Sequence, residues 1–351
     1  MKKVDLTIVM CFSLVLFIMS CKSDESSEVD NLVRKYTSEE LKQAYKARSI
    51  GAEKPDTAFF SNTELESVDI NLLETALFES QRLIYGNDNI KDWYQVKGNA
   101  TIEKYCNGVC AMINKSELTL VNGFYILKGN KSFKSVHNTC NNERFMNQPI
   151  ISECSAFAIS RRMVATAGHC LNESNYNSYL FVYGYRMLDY KNPELKIPAS
   201  NVFKCTRILD RKKDASLDYT IFAVDKDISP NRIWKIRTSG VLQKNQILDV
   251  AGYPLGLPVK FADSGKVRDN TNPNSFLSNL DVYGGNSGSP VFDHHTGIVE
   301  GILTGGEVDF TFDLSKNCRK SLICPVNGCQ GERISRTSQF LAVFNANKGA
   351  Y

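Results

Sequence analysis

The sequence predicts an all-β protein behind a helical N-terminal extension, and three observations carry the prediction. From about residue 118 onward, short apolar runs rich in β-branched and aromatic residues recur between turn residues. The 351 residues are 42% hydrophobic and 23% charged, an ordinary globular balance that suffices for one large or two small cores. The clear helical patterns upstream of residue 83 lack this strand-and-turn texture.

Taken in order, residues 1–20 read as a bacterial export signal, with Lys2 and Lys3 before an uncharged run from Leu6 to Ser20. Ile18-Met19-Ser20-Cys21 resembles a lipobox, whose cysteine becomes the acylated first residue of the mature chain. Lys22 stands where an aspartate would retain a lipoprotein at the inner membrane. The expectation is therefore an exported protein with a lipid anchor at Cys21 in the outer membrane or cell surface, a periplasmic or secreted protein being the alternative.

Lys22 to Asp30 is polar and acidic, a flexible tether. Thr37-Ser38-Glu39-Glu40 resembles a capping box opening a helix to about Arg48, and the pattern breaks at Pro55. A second helical pattern sets Leu65, Val68, Leu72, Leu73, Ala76 and Leu77 on one side. Residues 21–82 are thus expected to be a tether with a propeptide or helical extension. The texture changes at Gln81-Arg82-Leu83-Ile84, where a cut after Arg82 would leave an apolar new terminus.

Beyond this point, Ile102, Cys106, Val109, Cys110 and Ile113 fit a helical face, yet the segment also reads as strand. Strands are expected at Leu118–Val121, Tyr125–Leu127, Phe157–Ile159, Met163–Ala165, Leu180–Tyr185 and Val202–Ile208. Others follow at Tyr219–Val224, Ile247–Ala251, Val259–Ala262, Val291–Phe292 and Ile298–Leu303. Strands at this cadence point to a closed or sandwiched architecture.

The chemistry concentrates in Gly284-Gly285-Asn286-Ser287-Gly288-Ser289-Pro290, where small residues let the backbone turn tightly around one serine. A hydroxyl becomes a nucleophile only with a base in reach and N–H donors for the oxyanion. Four histidines are available. His294 and His295 lie in a hairpin turn too close in sequence to return easily to Ser287, whereas His169 ends an apolar strand on a glycine turn. Asp218, at the mouth of another apolar strand, is the best placed carboxylate to orient it.

Ala165-Thr166-Ala167-Gly168-His169-Cys170, Asp218-Tyr219-Thr220-Ile221 and Gly285-Asn286-Ser287-Gly288-Ser289-Pro290 together resemble the chymotrypsin-like serine peptidases. The likeness is to the compact bacterial branch related to glutamyl endopeptidases, and it spans roughly residues 83 to 345. It implies two six-stranded antiparallel β-barrels, about 83–235 and 236–351, with Ser335 to Asn347 as the short closing helix. It also implies a His169, Asp218, Ser287 triad in the cleft, an oxyanion hole from the N–H groups of Gly285 and Ser287, and protein or peptide substrates. No metal or cofactor is called for. Asn286 precedes Ser287 where a trypsin latch needs an aspartate, so an amine freed after residue 82 would find no counter-charge there.

The pocket is expected around Asp281 and Thr304. Asp281 lies six residues before Ser287, where trypsins place the acid of the pocket floor, a resemblance that would favour basic side chains; otherwise it caps a strand or binds a backbone amide. Leu303 stands where glutamyl endopeptidases carry a histidine, which argues against glutamate specificity. Eleven cysteines agree with an oxidising destination, and Cys154 with Cys170 is the expected disulfide, tying the strand before the histidine turn to the turn itself. The irregular spacing of Cys318, Cys324 and Cys329 argues against zinc. A net charge of +4 is too mild to suggest nucleic acid. An α/β-hydrolase is excluded because Ser289 replaces the last glycine of the required elbow. The competing reading is a catalytically inactive, peptidase-like surface binding protein.

Overall fold

The computed structural model describes residues 89–306, 309–324 and 329–351 continuously, residues 63–70, 72, 73, 84 and 85, and a few positions between 32 and 44. The signal segment, Cys21 and most of the first expected helix lie outside the described residues. The chain divides into two compact units, Met1–Gln81 and Arg82–Tyr351. In the first, a helix spans Thr63–Ser67, and Leu65 and Leu73 are buried in a small apolar cluster.

The second unit is mostly β. The elements of its two large sheets and the two longest helices are, in chain order, β1 (Lys91–Asp92), α1 (Ala100–Asn107), β2 (Val109–Asn114), β3 (Ser152–Ala158), β4 (Met163–Thr166), β5 (Tyr179–Val182), β6 (Val202–Phe203), β7 (Cys205–Lys213) and β8 (Asp218–Val224). There follow β9 (Ile247–Gly252), β10 (Lys260–Asp269), β11 (Ser275–Ser278), β12 (Pro290–Asp293), β13 (Val299–Gly305), β14 (Glu332–Arg336) and α2 (Leu341–Asn347).

The first sheet runs β6-β5-β2-β3-β4-β8-β7. Its two edge strands are joined by the single residue Lys204, so the sheet curls back on itself without a closing ladder. The second runs β9-β12-β13-β14-β11-β10, and the β9–β10 pairing closes it into a six-stranded barrel. The fold is thus the expected two-barrel type, with one barrel closed and the other open along one seam.

β1 adds a seventh strand outside the closed barrel, pairing Asp92 with Lys260 and Lys91 with Phe261. Cores of both sheets are aromatic and aliphatic: Phe157, Phe181 and Phe222 in the first, Leu248, Val250 and Phe276 in the second, all essentially without solvent contact. Each such side chain contributes on the order of 1.5–3 kcal/mol.

The ambiguous segment at 102–113 is both helix and strand. Asn99 caps α1 by accepting from the N–H of Ile102, and Gly108 ends it. A Cβ at Gly108 would meet Trp234 Cζ2 at 2.4 Å, so the close seat of the indole on the backbone requires glycine there. β2 then begins at once. At the C-terminus the expected helix is shortened: residues 332–336 form β14, because they close the barrel between β11 and β13, and the helix starts at Leu341.

Candidate active site

His169 follows β4 on a turn that only glycine can make. A Cβ at Gly168 would meet the carbonyl oxygen of Lys212 at 2.2 Å and the nitrogen of Tyr219 at 2.9 Å, so the turn lies directly on the β7–β8 hairpin. That contact brings His169 to Asp218, the first residue of β8. The His169 N–H donates to Asp218 Oδ1 at 3.0 Å, and ring Nδ1 lies 2.9 Å from Oδ2. A carboxylate at Nδ1 favours the tautomer protonated there, which leaves Nε2 as the basic nitrogen. Both side chains are 15% exposed. Burial pulls the Asp218 carboxyl upward, but the His169 ring, its hydrogen bonds and the nearby Lys213 outweigh this and hold it below the usual carboxylate range.

Ser287 is buried in a turn with two residues in the left-handed region, Gly285 at φ +66° and Gly288 at φ +87°. The turn is clamped from both barrels. From the second, Gly288 N–H donates to Leu303 O at 2.8 Å, Leu303 N–H donates to Ser289 O at 3.0 Å, and the Ser289 hydroxyl donates to Asn286 Oδ1 at 2.9 Å. From the first, Ser155 N–H donates to Ser287 O at 2.8 Å. A Cβ at Gly288 would strike Ser155 O at 2.0 Å and Thr166 Oγ1 at 2.4 Å.

These contacts bring the serine turn to the histidine turn. Ser155 adjoins Cys154, which forms a disulfide with Cys170, and Cys170 follows His169. Cys170 Sγ lies 3.8 Å from Ser287 O. A His169 ring nitrogen and the two disulfide sulfurs lie within 4.8 Å of one another; bonded to each other, those sulfurs offer no thiolates to a metal.

The peptide before Gly285 has a defined orientation. Gly284 O accepts a hydrogen bond from Leu255 N–H, and because a trans peptide points C=O and N–H in opposite directions, the N–H of Gly285 is turned away from Leu255. Gly284 N–H donates to Asp309 Oδ2 at 3.0 Å, so the buried Asp309 fixes the start of the turn. Sequence reasoning missed Asp309, since no pattern marks a residue that reaches the turn from a distant loop.

The candidate pocket residues are placed differently from one another. Asp281 is buried and accepts from Asn89 N–H at 3.3 Å, the backbone-amide role among its expected alternatives. It lines a small space with Ile90 and Asn286. Thr304 lies on β13 beyond Leu303, with its hydroxyl donating to Arg333 O at 3.3 Å. Two further disulfides join Cys140 to Cys318 and Cys324 to Cys329. Cys106, Cys110 and Cys205 are buried thiols.

A family model described as a trypsin-like peptidase domain matches residues 154–302. No curated protein sequence matches the chain. Among solved structures, a Glu endopeptidase in complex with MPD is similar at 13% identity and TM-score 0.43, covering 76% of this chain and 100% of its own. The human heparin binding protein is similar at 13% identity and TM-score 0.43, covering 69% of this chain and 92% of its own.

Proposed function

Because this chain belongs to the trypsin-like serine peptidases, which act on proteins or peptides, we propose that it is a serine endopeptidase working through a His169, Asp218, Ser287 triad and an acyl-enzyme. The observation that carries the reading is the His169–Asp218 pair, 2.9 Å between ring and carboxylate, on the turn whose disulfide touches the backbone of Ser287.

His169 Nε2 takes the proton of Ser287 as the hydroxyl attacks a peptide carbonyl, then returns it to the leaving amine. Asp218 holds the ring in register and offsets the charge of the imidazolium. The N–H groups of Gly285 and Ser287 stabilise the oxyanion, each worth roughly 3–4 kcal/mol in comparable sites. Asp281 and Thr304 are retained as pocket residues, to be tested with fluorogenic peptides varied at the residue before the cut. The chain is further proposed to be exported and lipid-anchored through Cys21, with residues 22–82 either a tether and helical extension that keep the anchor or a propeptide whose removal would release the domain from it. Palmitate labelling and N-terminal sequencing of the active protein test these.

The deciding experiment is labelling with a fluorophosphonate probe. Wild-type protein should label at Ser287, and Ser287→Ala and His169→Ala should not. A well-folded wild type that takes no probe would overturn the proposal.

A further inference from the structure

β7 ends in Arg211, Lys212 and Lys213, and the first and last of these reach the dyad and its turn. Lys213 pairs across the ladder with Asp218, and its Nζ lies 3.8 Å from Asp218 Oδ2, the oxygen that also faces His169 Nδ1. Arg211 Nε donates to Gly168 O at 2.8 Å, on the turn that presents the histidine. The Lys213 side chain is 29% exposed and Asp218 15%, so the interaction is only partly screened. Among the described residues, His169 and Lys213 are the two side chains within ion-pair distance of Asp218.

We infer that Lys213 is a positioning residue of the site: its ammonium shares the Asp218 carboxylate with the imidazole, holds that carboxylate against the ring, and weakens the stabilisation of the imidazolium. This rests on the proposed catalytic role of the dyad and adds a member to it. No bond is made or broken at Lys213. Its effect is electrostatic, since a positive charge that shares one carboxylate oxygen with a ring opposes protonation of that ring.

Other charged groups lie on the elements that carry or flank the dyad. Asp210 on β7 accepts from the Tyr219 hydroxyl, and Asp214 is held by Ser216 and Leu217 in the β7–β8 turn. Glu153 on β3 is engaged by the Tyr179 hydroxyl, and Glu173 lies in the loop after the disulfide. These three hydrogen-bonded carboxylates favour the imidazolium at longer range. Lys213 opposes them from contact distance of the shared oxygen.

The sign follows. Removing the ammonium leaves Asp218 wholly to the ring, and the undivided carboxylate favours the imidazolium more strongly. The test is the pH dependence of the second-order rate of fluorophosphonate labelling, which needs no known substrate. In Lys213→Met the acid limb should move up by roughly half to one pH unit, while Lys213→Arg keeps it in place.

A folded Lys213→Met or Lys213→Gln protein with the wild-type limb would overturn the inference. So would an arginine variant displaced as far as the methionine one. Absence of any labelling in wild type would instead remove the catalytic reading beneath it.

Discussion

In the first barrel, the histidine turn is fixed by side-chain bonds: a disulfide one residue away, two hydrogen bonds to one carboxylate, and an arginine on the preceding carbonyl. In the second, the serine turn is fixed by backbone shape: two glycines with positive φ, backbone hydrogen bonds to β13 and β3, and side-chain bonds through Asn286 and Asp309. The difference matters because the two kinds of support fail differently. Losing a cross-link relaxes a turn that keeps its conformation, whereas a misplaced Cβ in a left-handed turn that touches a neighbouring carbonyl has no nearby alternative.

The first way to break the comparison is to strike each half at its reactive group. His169→Ala and Ser287→Ala should each lower kcat/KM by about 10⁴-fold or more, and the double variant little further, because in the proposed mechanism the groups act as a unit. Additive losses in a purified-enzyme assay would mean that the halves do not work on one reaction.

Next comes the support of the serine half. Gly288→Ala should be more damaging than removal of the disulfide, since its Cβ would have to displace Ser155 O from 2.0 Å while keeping φ near +87°. A loss of activity exceeding 100-fold is expected, with the thermal midpoint also lowered. Activity within a few-fold of wild type would show that the two barrels are not held in register at this turn.

How far these features could be read from sequence follows the same division. The runs around His169, Asp218, Cys154 and Cys170 are local and distinctive, so the contact of the ring with the carboxylate and the Cys154–Cys170 pairing were legible. Most strands around them were too, because Tyr219–Val224 and Met163–Ala165 are continuous apolar runs of the kind a buried strand needs. β11 (Ser275–Ser278) and β14 (Glu332–Arg336) were not, since they are short and carry polar residues whose burial depends on partners far along the chain. Asp309 and Lys213 were invisible for a related reason. Their importance lies in reaching Gly284 and Asp218, and composition does not report reach. Asn89 and β1 belong to the same class: a stretch that read as the start of a domain is a strand laid on the closed barrel, tied by Asp281.

That strand sharpens the comparison, because it is the ionic support of the second half. Lys260 Nζ lies 2.7 Å from Asp92 Oδ1 and donates to Gln148 Oε1 and Pro258 O at 2.8 Å, while Gln148 donates to Asp92 Oδ2. Burial lowers the basicity of the lysine, and Asp92 opposes the drop. Removing one partner strands the other charge in a dry interior, so Asp92→Ala or Lys260→Met should destabilise by about 3–5 kcal/mol in chemical denaturation. Removing the Cys154–Cys170 disulfide, which closes a short loop, should destabilise by about 3 kcal/mol. If the disulfide variant proved the weaker protein, the cross-linked half would be the more dependent of the two.

The smallest expected effect separates the dyad from the general acid sensitivity of the protein. Asp218 is held below the usual carboxylate range in the folded chain, so the unfolded chain binds a proton there more readily than the folded one. The stability this confers is fully present above the unfolded carboxylate value, near pH 4, and is lost as pH falls through the lower folded value. In the Ser287→Ala background, which keeps the dyad while avoiding self-digestion, the urea midpoint should fall below pH 4 with a contribution that Asp218→Asn removes. His169→Ala should remove much of the same contribution, because the ring and its hydrogen bonds supply most of the pull on Asp218 and Lys213 the remainder. Identical acid profiles with and without Asp218 would show that the carboxylate gains nothing from its two cationic neighbours on folding, and the ionic account of the histidine half would fail with it.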